Sequence, residues 1–185
     1  MTREDKQALR LRVRETIKAF DEAYLAESNA AIEQAVLSLN EFRMSERVFT
    51  YYSQERECAT RKIISEALRA GKTVALPVVY GGGNMAFGEY SGSLRDGVLG
   101  ICEPVAGARI LVPTERDVMI VPALCCDKAG CRLGRGGGYY DRYLGDCPAV
   151  TICLCRERLL AEKIPKEWND LTVNIVITEK GPIRL

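Results

Sequence analysis

Gly130-Cys131-Arg132-Leu133-Gly134-Arg135-Gly136-Gly137-Gly138-Tyr139-Tyr140-Asp141-Arg142-Tyr143-Leu144 follows an apolar, strand-like run, Val118-Met119-Ile120-Val121-Pro122-Ala123-Leu124, and precedes residues suited to open a helix. Four glycines within five residues allow tight turning and close approach of backbone to a ligand. A bare glycine cluster is most simply a flexible surface loop. Here three arginines, paired tyrosines and Asp141 are added to it. A strand-to-loop-to-helix path aims N–H groups at an anion, and the arginines supply matching charge. The stretch reads as a loop that handles phosphate.

The surrounding chain has the size and composition of one α/β domain spanning residues 1–185, with 47% hydrophobic and 28% charged residues. Its formal net charge of +1 argues against a nucleic-acid binder, which needs a broad cationic surface. No apolar run reaches the roughly 18 to 20 residues that span a bilayer. The charged start, without an apolar signal segment, leads to the expectation of a cytoplasmic protein. A monomer is expected. Eight cysteines include no C-x-x-C pair, and the chain has no histidine, so free buried thiols are expected rather than disulfides or zinc. The missing histidine also excludes Ser-His-Asp and Cys-His nucleophilic mechanisms and an imidazole base.

Helices and strands alternate. Thr2 and Asp5 suit a capping box for a first helix carrying Leu9, Val13, Ile17 and Phe20 inward. A second helix is expected over residues 29–42 and a third over residues 57–70, the latter with Ile63, Ile64 and Leu68 inward and Gly71 as its C-terminal cap. Strands are expected at residues 48–52, 73–79, 117–124 and 149–154, and residues 171–178 close the sheet. Residues 85–90 alternate roughly in polarity, residues 100–104 read as a turn with one carboxylate, and residues 158–163 as a short helix. The pattern predicts a single layered domain with a mostly parallel or mixed central sheet flanked by helices. Its ligand crevice should lie where the strands end, at Tyr52, Pro77 and Leu124.

The glycine stretch does not fit the common nucleotide loops. G-x-x-x-x-G-K-S/T is absent, and Tyr139 stands where a Rossmann loop needs its third glycine. Arg132-Leu133-Gly134-Arg135-Gly136-Gly137-Gly138-Tyr139-Tyr140-Asp141-Arg142 instead resembles the signature of the 5-formyltetrahydrofolate cyclo-ligase family, the methenyltetrahydrofolate synthetases. Lys6-Gln7-Ala8-Leu9-Arg10 resembles that family's N-terminal helix motif, and Tyr51-Tyr52 with Glu57 and Thr60 its folate-side segment. Residues 74–79, 100–104 and 117–124, then Ile164-Pro165, Asp170 and Ile177-Thr178-Glu179, follow in the family's order. Essentially the whole chain is covered.

The resemblance implies ring closure of 5-formyltetrahydrofolate, with or without a polyglutamate tail, to 5,10-methenyltetrahydrofolate, with ATP as co-substrate and Mg²⁺ as cofactor. The formyl oxygen attacks the γ-phosphate, giving an iminium phosphate that N10 closes. No enzyme nucleophile is needed, which suits a histidine-free chain. By the same resemblance, Arg132 and Arg135 are the catalytic residues. ATP would be bound by Lys6, Gln7, Arg10, Arg132, Gly134, Arg135, Gly136, Gly137, Gly138, Tyr139 and Tyr140. The folate would lie against Tyr52, Glu57, Arg135, Gly136, Gly137, Gly138 and Tyr139. Asp141 and Asp170 would hold the metal.

Other readings of single residues stay open. Glu57 is equally an ordinary first-turn helix glutamate, Met85 and Phe87 equally core, Glu103 equally structural, and Arg12 and Arg14 a solvated helix face. Many family members have a second basic residue where this chain has Gly137, an aromatic residue at Cys126 and an aspartate at Asn174. Two rival functions are a kinase or ATP-grasp-like ligase acting on another small molecule, and a non-catalytic folate- or nucleotide-binding module. The presence of Arg132 and Asp141 disfavours the second.

Overall fold

The computed structural model describes residues 3–167 and 170–185. Helix α1 (Arg3–Lys18) forms as the apolar spacing predicts, burying Val13 and half-burying Leu9 and Ile17. Thr2, expected as its cap, lies outside the described residues. Helix α2 (Glu22–Ser38) begins seven residues earlier than expected, because the Asp21 carboxylate accepts the Tyr24 N–H and caps it. Leu39 is extended and breaks the expected long helix into α2 and a five-residue α3 (Asn40–Met44).

Strand β1 (Arg47–Phe49) ends sooner than the β-branched and aromatic run suggested. Helix α4 (Arg61–Arg69) starts four residues late, so Glu57 stands in a loop and is not a helix glutamate. In α4 the buried residues are Ile63, Ile64 and Ala67, whereas Leu68, expected inward, is largely exposed. Gly71, at φ +76°, follows the helix as anticipated.

Strands β2 (Thr73–Val79) and β3 (Met85–Glu89) form a hairpin across the 81–83 turn. The expected turn at residues 100–104 is instead half of a small ribbon, β4 (Leu94–Asp96) with β5 (Cys102–Pro104). After the two-residue β6 (Ile110–Leu111) comes β7 (Val118–Val121). The glycine loop is not joined to β7 directly. A hairpin intervenes, β8 (Cys125–Asp127) and β9 (Arg132–Leu133), closed by the Asp127 carboxylate accepting the N–H groups of Ala129 and Cys131.

Helix α5 (Tyr139–Tyr143) is one turn long and leads to β10 (Val150–Leu154). The helix expected over residues 158–163 is a single 3-10 turn followed by β11 (Leu160–Ala161), which pairs with β8. Strand β12 (Ile175–Thr178) does not close the sheet, because β13 (Gly181–Arg184) adds an antiparallel edge beyond it.

The main sheet has eight strands in the order β13-β12-β10-β7-β1-β2-β3-β6. Its five central strands are parallel and its edges antiparallel. Alternation splits each central strand between two cores. Val118 and Ile120 face α2 and α4 with Val48, Val74 and Ile152, whereas Met119 and Val121 face the α1 side with Phe49, Ala75 and Cys153. Burial on both faces explains why these strands read as continuous apolar runs. From β1 the chain crosses one way to β2 and later returns on the other side as β7. That reversal opens a crevice at the carboxyl ends of β1 and β7.

Candidate active site

A cavity of about 890 Å³ lies at that crevice. Tyr51 and Tyr52 line it after β1, Pro77 and Val79 on β2, and Pro122 and Ala123 after β7. The glycine loop from Arg132 to Arg142 covers one side, and Lys6, Gln7 and Arg10 of α1 another. Every residue expected to contact ATP, folate or metal lines this one cavity. Among the described residues six basic and four acidic side chains border it, a net positive wall suited to an anion.

The loop is held from two directions. Arg10 Nε donates to the Gly134 carbonyl at 2.9 Å, fastening the loop to α1. Arg142 donates to the Gly137 carbonyl at 2.8 Å and the Gly83 carbonyl at 3.0 Å, fastening it to the β2–β3 turn. Gly136 at φ +106° and Gly138 at φ +68° adopt conformations that L side chains resist. A Cβ on Gly138 would also stand 2.9 Å from Arg142 Nη1. At Gly137 a Cβ would fall 2.8 Å from the Tyr139 ring. Tyr139 therefore packs in the space that a side chain at position 137 would enter.

Arg132 is a buried cation of the site, with its side chain 3% exposed. Its Nη2 donates to Asp141 Oδ1 at 2.7 Å. Among the described residues, Arg132 Nε and the Tyr140 hydroxyl are the buried side-chain polar atoms that have no hydrogen-bond partner. Leaving such groups unsatisfied costs about 1–3 kcal/mol each. Both residues border the cavity. Burial pushes the Tyr140 hydroxyl well above its ordinary pKa, the nearby Arg132 opposing only in part. Tyr140 is thus a neutral donor at any physiological pH.

Lys6 is buried and donates to Asp170 Oδ2 at 2.5 Å, with Glu167 at 3.5 Å. Glu57 accepts from the Gln54 N–H at 2.8 Å and from Arg135 Nη2 at 2.7 Å. Met85 joins the lining, but Phe87 is fully buried against Phe49 and Tyr143 and is core. Glu103 is structural. It is 1% exposed, accepts the Val79 N–H and pairs with Arg95. Arg12 is exposed as expected, whereas Arg14 reaches the cavity rim. Tyr52 lines the cavity with the Arg61 guanidinium 4.9 Å from its ring centre. Asn174 spans β10 and β12, accepting the N–H and hydroxyl of Thr151.

Arg142, Gln54 and Glu167 were not singled out from sequence, and Arg14 was read as a solvated helix face. Of these, only Arg142 carried a signal, its place inside the quoted motif.

All eight thiols are free and none is exposed. Burial drives Cys58 and Cys125 up to about 12. Among the described residues no three acidic or sulfur side chains converge as a metal cage. Asp141 and Asp170 both line the cavity, and a carboxylate is the donor type that Mg²⁺ takes once or twice alongside phosphate oxygens.

The family model for the 5-formyltetrahydrofolate cyclo-ligases matches residues 2–179. The 5-formyltetrahydrofolate cyclo-ligase of Escherichia coli (strain K12) is 35% identical over 143 residues, covering 73% of this chain and 79% of the relative. The mouse cyclo-ligase is 27% identical over 96% of this chain and 95% of its own. Among solved structures, the NMR structure of Aquifex aeolicus 5,10-methenyltetrahydrofolate synthetase superposes with a TM-score of 0.86 at 28% identity, covering 97% of this chain and 92% of that one. The match over nearly the full length, in sequence and in fold, places this chain in the 5-formyltetrahydrofolate cyclo-ligase family.

Proposed function

We propose that the chain closes 5-formyltetrahydrofolate to 5,10-methenyltetrahydrofolate at the expense of ATP, with Mg²⁺ on the phosphates. One observation carries the reading. The glycine loop, the cationic face of α1 and the Glu57 loop converge on a single cavity, so two substrates can be held together.

Arg132 and Arg135 would grip phosphate oxygens, with Lys6 and Arg10 opposite and the amides of residues 136–138 at close range. The formyl oxygen attacks the γ-phosphorus, the bond to ADP breaks, and an iminium phosphate results. N10 then attacks the formyl carbon and loses its proton, and inorganic phosphate leaves with the former formyl oxygen. The protein's part is to position the reactants and offset charge, since the substrates supply every reacting atom.

The ion pairs support an exchange on binding. Lys6–Asp170 and Arg132–Asp141 each join a candidate phosphate ligand to a candidate metal ligand. Phosphate would draw the cations away and leave Asp141 and Asp170 to Mg²⁺, which offsets charge on the transferring group. Tyr52 and Met85 offer apolar faces to the pterin or aminobenzoyl ring, and Glu57 an acceptor for pterin N–H groups.

The test is an absorbance assay with the full chain, 5-formyltetrahydrofolate, ATP and Mg²⁺. The methenyl product's near-ultraviolet band should grow only when ATP is present, and the rate should collapse when Mg²⁺ is chelated. Active folate giving no ATP-dependent rise would reject the proposal.

A further inference from the structure

Arg156, which the mechanism does not use, is 1% exposed, the largest of the fully buried side chains among the described residues. A buried charge is costly unless its donors are satisfied, and here no carboxylate lies within ion-pair distance among the described residues. All of its partners are neutral. Nε donates to Ser28 Oγ at 3.0 Å, and Nη2 to Asn29 Oδ1 at 2.8 Å, both on α2. The other two bonds go to consecutive backbone carbonyls of the folate-side loop, Arg56 from Nη1 and Glu57 from Nη2, each at 3.0 Å.

The loop that receives these bonds is in an unusual state. Arg56 has φ +65°, the one non-glycine residue with positive φ among those described, and such a conformation persists only when its surroundings impose it. The next carbonyl, Cys58, accepts from the buried Tyr51 hydroxyl at 3.0 Å. Three successive carbonyls are therefore turned inward, and the Glu57 carboxylate projects from the loop into the cavity. Asn29 Oδ1 also accepts the Ala59 N–H at 3.1 Å, so α2 anchors both the guanidinium and the far side of the loop. The Arg56 side chain caps the C-terminal end of α1, donating to the carbonyls of Ile17 and Phe20.

We infer that Arg156 is a positioning residue for the folate half of the site: its guanidinium fixes the backbone of residues 56–57 and thereby the aim of Glu57. The fork of the guanidinium is what the task requires, since a lysine ammonium at the same place cannot span Ser28, Asn29 and two carbonyls. The inference rests on the proposal that Glu57 faces the folate. Its location supports a selective effect, because among the described residues none of the hydrogen bonds of Arg156 goes to α1 or the glycine loop.

Steady-state kinetics of the full chain test it, varying each substrate with the other saturating. Arg156→Met, similar in bulk but without donors, should raise KM for 5-formyltetrahydrofolate about tenfold or more while KM for ATP stays within about twofold. Arg156→Lys should recover part of the loss. In a Glu57→Ala background, Arg156→Met should add little to the folate KM. Equal rises in both KM values, or full additivity with Glu57→Ala, would reduce Arg156 to a fold-stabilising residue and overturn the inference. Should Arg156→Met fail to fold, Arg156→Lys decides, and an unchanged ratio of the two KM values refutes the assignment. If Glu57→Ala shifts folate KM but neither Arg156 variant does, this inference alone falls. If Glu57→Ala leaves folate KM unmoved, the folate-side reading falls first.

Discussion

Arg135 Nη2 donates to Glu57 Oε1 at 2.7 Å, joining the glycine loop to the folate-side loop across the cavity. The residues are 78 positions apart, and both were expected at the folate, Arg135 at ATP as well. The pair is partly exposed, at 53% for the Arg135 side chain, so it contributes little to stability. Its importance lies in what must happen when substrates arrive, since each partner is then needed elsewhere. Glu57→Gln is expected to leave the melting temperature within about 2 °C while raising KM for the folate. A double-mutant cycle with Arg135→Ala should give non-additive effects on kcat/KM. Strict additivity would show that the two act separately.

Arg132 is buried, paired through one nitrogen and unsatisfied at another. A cation stored this way is prepared for an anionic ligand. Arg132→Ala should lower kcat by about a thousandfold or more, as when an arginine is lost from a phosphoryl-transfer site. Arg132→Lys should fail nearly as badly, because a single ammonium cannot replace the fork. Circular dichroism and the absorbance assay on the same preparations distinguish lost chemistry from lost fold. A well-folded Arg132→Ala with near-normal kcat would remove Arg132 from the mechanism.

The central strands were legible in the sequence because Val48, Val118, Ile120 and Ile152 alternate with equally apolar residues buried on the opposite face. The glycine loop was legible because its chemistry is local. The Glu57 loop was not, since the reciprocal bonds between Ser53 and Thr60 that keep residues 53–60 out of a helix cross seven positions. Leu160 and Ala161 look helical in isolation and become a strand only by pairing with Cys126 and Asp127. Arg156 was invisible for the same reason, as its partners lie about 100 or more positions away.

Gly138 tests whether the loop's shape matters apart from its charges. Alanine there meets both a positive φ and the Arg142 guanidinium. Strain of about 1 kcal/mol or more is expected, and relief requires Arg142 to release the Gly137 and Gly83 carbonyls. Gly138→Ala should therefore raise KM for ATP several-fold. Gly145→Ala, whose Cβ meets nothing within 4 Å, is the matched control. Equal ATP KM values in the two variants would deny the loop conformation any role.

Asp117 links pH to stability at a distance from the cavity. The carboxylate is 1% exposed and meets Arg47 at 2.6 and 3.0 Å, and the Thr114 N–H and hydroxyl. Burial pushes its pKa up, but the bonds from Arg47 and Thr114 outweigh burial and hold it below the ordinary carboxylate value. The folded state therefore binds this proton less readily than the unfolded chain, and stability rises with pH across the interval. The contribution is complete above the unfolded value of about 3.9 and is lost as pH falls through the lower folded value. Asp117→Asn should destabilise the protein by about 2 kcal/mol at pH 7, leaving Arg47 without its charge partner. Urea unfolding from pH 7 down to pH 3 should show the difference between wild type and variant shrinking only below about pH 4. A gap constant across that range would mean that Asp117 does not carry the acid limb of stability.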